Sequence, residues 1–184
     1  MDGINGITVA YALVTAGTLW FINRYQTAFI NNELLEYTLI ALVVFSMFNF
    51  RKRALCFAGD IGSVSIAFVL SFLLISLIIT TGQVGYLGFL LIYAIDSVGT
   101  IIERLIKREN IFEPHRLHFY QRLANDRKIP HLIISSGYAI LQLAINVLVI
   151  FWAETSVFQW IILLLLITLS ILYVISKQIL FKIL

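Results

Sequence analysis

The sequence is poor in charge and in cysteine. Only 12% of its 184 residues are charged, 60% are apolar, and the mean hydropathy is +0.95. A soluble domain needs more charge than this to cover its surface, so the composition excludes a soluble fold. The single cysteine, Cys56, excludes an internal disulfide and a cysteine-based zinc site.

Long apolar stretches take the place of the missing charge. Six of them are long enough, or nearly so, to cross about 30 Å of hydrocarbon as helices. They cover residues 7–22, 34–50, 62–80, 84–101, 132–153 and 157–176. Because backbone exposed to lipid must satisfy its own hydrogen bonds, the predicted fold class is all-α, a polytopic transmembrane helix bundle of about six spans.

The basic residues are distributed unevenly between the two membrane faces. With six spans, the N-terminus, the connectors at about 51–61 and 103–131 and the C-terminal tail share one face, and of the 13 Lys and Arg residues only Arg24 falls on the other. The positive-inside rule makes the basic face cytoplasmic. We therefore expect a multi-pass protein of the cell inner (cytoplasmic) membrane with a cytoplasmic active face, and basic clusters that serve topology rather than nucleic-acid binding.

The first polar motif on the basic face is the run Gly59-Asp60-Ile61-Gly62-Ser63. A carboxylate between glycines at the mouth of a helix can approach a ligand closely, and the helix N-terminus suits a phosphate. Asp60 could hold Mg²⁺ against a pyrophosphate. An Asp N-cap explains the same pattern equally well.

Two further motifs lie on the same face. Residues 2–6 form a glycine-spaced polar turn that contains Asp2 and Asn5. An ordinary exposed terminus has the same kind of sequence, so this motif alone is weak. The segment 112–123 interleaves arginines and aromatics with His115 and His118, which suits phosphate better than a transition metal. A solvated loop with incidental histidines is the alternative.

Asp96 lies within an apolar run, where an acidic residue is a functional candidate. At helical spacing Asp96, Thr100, Glu103 and Arg104 fall near one face. A structural ion pair or hydrogen bond along that face is at least as good an explanation as catalysis.

These four motifs, in this order, resemble the polyprenyl-phosphate N-acetylhexosamine-1-phosphate transferases, glycosyltransferase family 4. The matching segments are residues 2–6, 57–63, 96–104 and 115–123. The last resembles the O-antigen-initiating branch, since the run of adjacent histidines of the peptidoglycan branch is absent. The resemblance implies transfer of an N-acetylhexosamine 1-phosphate from a UDP-N-acetylhexosamine to an undecaprenyl-type lipid phosphate.

The resemblance also implies roles for single residues. Mg²⁺, with Mn²⁺ as the alternative, would be held by Asp60, and Phe57 would stack on the uracil ring. The implied catalytic residues are Asp60, Asp2, His115 and His118, and the implied substrate-binding residues are Phe57, Gly59, Asn5, Arg116 and Arg122.

Two features of the family are absent from the sequence. The family has a pair of adjacent aspartates and further helices upstream of the residue 2–6 turn, whereas none of the four aspartates here is adjacent to another. We therefore expect residues 1–184 to be a C-terminal half, weakly active or inactive alone, that partners an N-terminal half or a second copy. One alternative is a non-catalytic membrane protein that binds a lipid phosphate or a nucleotide, or that partners a separate N-terminal half. A small transporter is less favoured, because the polar residues cluster at one membrane face rather than through the midplane.

Overall fold

The computed structural model describes residues 2–111, 113, 116–153, 155 and 157–181. Within these residues the protein is entirely helical, as predicted. The elements are α1 (Ile7–Tyr25), α2 (Asn32–Asn49), α3 (Gly59–Thr81), a 3₁₀ segment (Val84–Leu90), α4 (Leu91–Ile106), α5 (Phe119–Asn125), α6 (His131–Trp152) and α7 (Phe158–Phe181).

Four helical stretches of the described chain are long and apolar enough to cross a membrane, namely Gly59–Thr81, Val84–Ile106, His131–Trp152 and Phe158–Phe181. Helices α1 and α2 have 19 and 18 residues, or about 27–28 Å at 1.5 Å per residue, and carry more polar groups. The prediction of about six spans is compatible with this arrangement. The protein is a multi-pass membrane helix bundle.

Helix α1 is the centre of the bundle. It packs against α2 on one side and α6 on another, and α3 lies along it as well. The main apolar core joins Leu19 and Ile22 of α1 to Leu73 and Leu77 of α3. Helix α7 packs on α4 at the outside, and only Phe158 and Lys177 of its 24 residues are buried. Much of its remaining surface is exposed and available to lipid, for example at Trp160, Leu164 and Ile179.

The 3₁₀ segment interrupts the predicted span at 84–101. Its backbone is held by side chains from neighbouring helices. The Gln142 amide donates to the Gly88 carbonyl at 3.0 Å and accepts from the Ile92 N–H at 3.1 Å, and the Tyr11 hydroxyl donates to the Phe89 carbonyl at 3.0 Å. Irregular backbone is tolerated at membrane depth where protein groups satisfy it.

Candidate functional site

The Asp2 carboxylate joins three parts of the chain. One oxygen accepts the backbone N–H of Gly59 at 3.0 Å, and the other accepts the Thr8 hydroxyl at 3.2 Å. The backbone carbonyl of Asp2 accepts the Tyr120 hydroxyl at 2.7 Å. The residue 2–6 turn, the start of α3 and α5 therefore meet at one point.

The turn depends on a glycine at position 6. Gly6 has φ 83°, and a Cβ there would lie 2.5 Å from the Phe50 ring. Its N–H donates at 3.0 Å to the side-chain oxygen of Asn49, which is 1% exposed at the end of α2. Only glycine combines this left-handed conformation with so close an approach.

The connector between α2 and α3 is held against the turn by two asparagines. The Asn5 amide donates to the carbonyls of Arg51 and Lys52, both at 3.0 Å. The Asn49 amide donates to the Cys56 carbonyl at 2.9 Å. Asn5 is buried and this amide nitrogen is engaged, so the structure gives it a structural role beside any contact with substrate.

Asp60 and Phe57 face outward at this junction. Asp60 lies in the first turn of α3, and its exposed carboxylate has no hydrogen-bond partner in the described part of the chain. Phe57 is 56% exposed. Gly59, which precedes Asp60, has φ +60°, and a Cβ at this position would have no atom within 4 Å. Glycine is therefore favoured here by its left-handed backbone conformation and not by a steric clash.

Two cavities adjoin the junction. A groove of about 500 Å³ between α2 and α3 has Phe57, Gly62 and Ser65 among its lining residues. A smaller cavity of about 250 Å³ lies between α1, α3 and α4. Thr8 and Ser97 line it together with several apolar residues. Apolar space and hydroxyl groups therefore both adjoin Asp2 and Asp60.

Asp96 is a buried hub for α4, α5, α6 and α7. It is 1% exposed, and its carboxylate accepts the Tyr138 hydroxyl at 2.9 Å, the Tyr173 hydroxyl at 3.1 Å and the Phe119 N–H at 2.9 Å. The His118 Nδ1 lies 3.7 Å from the same carboxylate. Asp96 thus has the structural role that the sequence left open, and it anchors the start of α5.

His118 reaches the junction through Tyr120. The two rings stack at 5.4 Å with 15° between their planes. Tyr120 is 1% exposed, and burial, followed by the nearby charges of Asp96 and Asp2, raises its pKa well above the ordinary value. The Tyr120 hydroxyl is therefore protonated at neutral pH and donates to Asp2.

The other predicted site residues are placed differently. Arg122 pairs with Asp126 at 3.2 Å, and its guanidinium lies 4.6 Å from the centre of the Phe181 ring. It is therefore directed toward the end of α7. Arg116 is exposed, and His115 lies outside the described residues.

Sequence reasoning missed Asn49, Tyr120 and Gln121. Gln121 is 8% exposed, and its Oε1 has no hydrogen-bond partner among the described residues. A Cβ on Gly3 would lie 2.9 Å from its amide nitrogen, so Gln121 borders the turn. Tyr120 and Gln121 lie within the 112–123 segment, where the sequence motif already indicated a site. Asn49 offers no signal in the sequence, because a polar residue at the end of a helix is common.

The described residues contain no group of three or more His, Cys, Asp or Glu side chains that could hold a metal by themselves. Mg²⁺ is usually bound through one or two carboxylates plus substrate phosphates. At this junction the exposed carboxylate of Asp60 could supply one such ligand, and Asp2 contacts the residue next to it.

Residues 1–78 match the model of Glycosyl transferase family 4. The matched region includes both the residue 2–6 turn and the 57–63 loop, and it ends before Asp96 and the histidine segment. It supports a membrane transferase of phosphorylated sugars in general. No curated protein and no solved structure matches the chain.

Proposed function

We propose that the chain takes part in transfer of an N-acetylhexosamine 1-phosphate from a UDP-sugar to an undecaprenyl-type lipid phosphate, initiating a lipid-linked glycan of the O-antigen class. The observation that carries the proposal is the hydrogen bond between Asp2 and Gly59. It joins the two motifs that lie within the family match, although 57 residues separate them in sequence.

The UDP-sugar would bind at this junction. Asp60, the exposed carboxylate at this junction, would hold Mg²⁺ together with the substrate diphosphate, and the ion would supply positive charge to the transferring phosphoryl group. The N-terminus of α3 lies at this junction, and the N–H groups that follow Gly59 in its first turn would favour an anion. Phe57, exposed above the α2–α3 groove, offers a ring for the uracil base, and the unpartnered Oε1 of Gln121 offers an acceptor for a sugar hydroxyl.

The lipid acceptor would enter from the bilayer along the α2–α3 groove. This groove is largely apolar and reaches Phe57 and Gly62 beside Asp60. A prenyl chain in this groove would reach the diphosphate from the hydrocarbon without crossing the bundle. The exposed Arg51, Lys52 and Arg53 lie in the same α2–α3 connector as Cys56 and Phe57 of the groove lining, and they would attract the lipid phosphate.

We further propose that the chain acts with a segment that carries the family's aspartate pair. In-line transfer requires that the acceptor phosphate be held against the β-phosphate. Asp60 is proposed for the metal, and none of the four aspartates in this sequence is adjacent to another, so no aspartate pair is left to hold the acceptor.

The test is release of UMP from UDP-N-acetylglucosamine or UDP-N-acetylgalactosamine, with undecaprenyl phosphate and Mg²⁺. The 184-residue chain is assayed alone and with a co-expressed N-terminal segment that carries the aspartate pair. We expect little activity alone, and with the partner a loss of about 100-fold or more for Asp60→Asn. Glu36→Gln, which removes an exposed carboxylate near the opposite end of α2, is the matched control and should be active.

Binding of undecaprenyl phosphate without UMP release under every condition would contradict the transferase and favour a non-catalytic lipid-binding protein. Equal activity of the Asp60→Asn and wild-type chains would contradict the proposed site.

A further inference from the structure

A second apolar groove lies between α4 and α7, apart from the junction described above. Its volume is about 500 Å³, and all of its lining residues belong to residues 94–107 and 166–178. The junction is formed instead by the residue 2–6 turn, the start of α3 and α5. The groove is therefore separate from the proposed transferase site.

Charged groups stand at one end of this groove. The Glu103 carboxylate pairs with Lys107 at 2.6 Å and with Lys177 at 2.7 Å. The Lys177 ammonium also donates to the Tyr173 hydroxyl at 3.0 Å. Two ammonium groups share one carboxylate, so this end carries a net positive charge, and both lysines line the groove.

The dimensions of the groove point to a single hydrocarbon chain. From Ala94 to Lys107 the helix rises about 20 Å, slightly more than one leaflet of a hydrocarbon core about 30 Å thick. The groove has a volume of about 500 Å³ and is lined mainly by apolar side chains, so it suits a hydrocarbon chain that lies lengthwise along α4.

We propose that the α4–α7 groove binds an anionic glycerophospholipid of the leaflet next to the basic face. One acyl chain lies along Val98, Ile102 and Val174, and the headgroup phosphate lies at Lys107 and Lys177. Charge complementarity selects an anionic headgroup over a zwitterionic one, because the cluster of two lysines and Glu103 is net positive. This site is independent of the proposed transferase chemistry.

The bound lipid would complete the contact between α4 and α7. Helix α7 has only two buried residues and would otherwise leave the groove open along α4. Beyond the groove, the Arg127 guanidinium lies 5.9 Å from the centre of the Phe181 ring. Its positive charge at the same end of α7 favours an anionic lipid, whereas the neighbouring Arg122 is paired with Asp126.

The test measures the affinity of the purified full chain for phosphatidylglycerol and for phosphatidylcholine with identical acyl chains, by native mass spectrometry of stepwise lipid binding. We expect one lipid to bind with preference for phosphatidylglycerol. Lys107→Gln, at a 40% exposed side chain, should weaken that affinity about fivefold. Lys128→Gln makes the same charge change outside the groove and should leave it unchanged.

A second pair of variants tests the groove itself. Ser170→Trp places a large ring in the groove and should abolish the tightly bound lipid, whereas Ile171→Trp alters its lipid-facing neighbour and should retain it. Thermal unfolding of both variants establishes that they are folded, and Lys107→Gln tests the site if Ser170→Trp is not.

Three results with phosphatidylglycerol would overturn the proposal, and a fourth comes from comparison with undecaprenyl phosphate. The first three are equal affinity for the two phospholipids, full retention of the lipid in Ser170→Trp, and displacement of phosphatidylglycerol by inorganic phosphate alone. Tighter binding of undecaprenyl phosphate than of phosphatidylglycerol would also overturn it, because the groove would then belong to the acceptor.

Discussion

Asp96 and Asp60 are both acidic residues near the membrane surface, but their surroundings are opposite. Asp96 is 1% exposed and accepts hydrogen bonds from α5, α6 and α7. Asp60 is exposed at the mouth of α3, and its carboxylate has no partner in the described chain. A buried charge must be paired to persist, whereas an exposed one is free to bind a ligand. The first carboxylate organises the bundle, and the second is available for chemistry.

Among the variants that test this contrast, Asp96→Ala should have the largest effect on stability. It leaves the Tyr138 and Tyr173 hydroxyls and the Phe119 N–H without their acceptor, so we expect a loss of about 3 kcal/mol in the free energy of unfolding. The measurement is denaturant unfolding of the purified protein in detergent micelles. Asp96→Asn retains one acceptor oxygen and should lose less. A change within about 0.5 kcal/mol for Asp96→Ala would show that the hub is unimportant for stability.

Asn49→Ala should have the next largest effect on stability. Asn49 links the residue 2–6 turn to the α2–α3 connector through its hydrogen bonds to Gly6 and Cys56, which together form the Asn49 clamp. The Gly6 N–H and the Cys56 carbonyl lose their partners, which costs about 2 kcal/mol. Trypsin should then cleave the connector faster at Arg51, Lys52 and Arg53. The control is Asn31→Ala, which removes the N-cap of α2 at a cost of about 1 kcal/mol without freeing the connector. Equal cleavage rates in the two variants would contradict the clamp.

Gly59→Ala should cost about 1 kcal/mol in unfolding free energy, because φ +60° is strained for an L-residue. The Gly17→Ala substitution should change the unfolding free energy in the opposite direction. It lies inside α1 with nothing within 4 Å of a Cβ, so Gly17→Ala should stabilise the protein by about 0.5–1 kcal/mol. Thermal unfolding of both variants measures the difference, and stabilisation by Gly59→Ala would refute the conformational argument.

The smallest effect on stability is expected for Asp60→Asn. Its carboxylate contacts no other described side chain, so the unfolding free energy should change by less than about 0.5 kcal/mol. The same variant should lose UMP release in the transferase assay. Unfolding and activity are measured on one preparation. A large loss of stability would place Asp60 with Asp96 as a structural residue and remove the contrast.

The helices could be predicted because hydrocarbon thickness sets their length. Each predicted stretch lies close to an observed helix, and the main departure is the 3₁₀ segment at 84–90. There, a Cβ on Gly85 would lie 2.6 Å from the Phe158 ring and one on Gly88 would lie 2.8 Å from Val149. These approaches involve residues far away in sequence, so hydropathy does not detect them.

The site could be predicted in its motifs but not in its connections. The motifs indicated that Asp2, Asp60 and His118 share a membrane face. The Asn49 clamp and the link through Tyr120 depend on long-range hydrogen bonds, and the attraction of Arg122 to Phe181 depends on how α7 packs. The catalytic and binding roles of these residues stay predictions, and His115 lies outside the described residues.

The 3₁₀ segment has a consequence for biogenesis. When the translocon releases residues 84–106, the N–H of Ile92 still lacks the Gln142 side chain that accepts it, because Gln142 is synthesised 50 residues later. Until α6 arrives, this span carries unsatisfied polar backbone that the lipid core disfavours. The span should therefore remain beside the translocon or a membrane chaperone until residue 142 has emerged, and nascent chains that stop before it should be degraded.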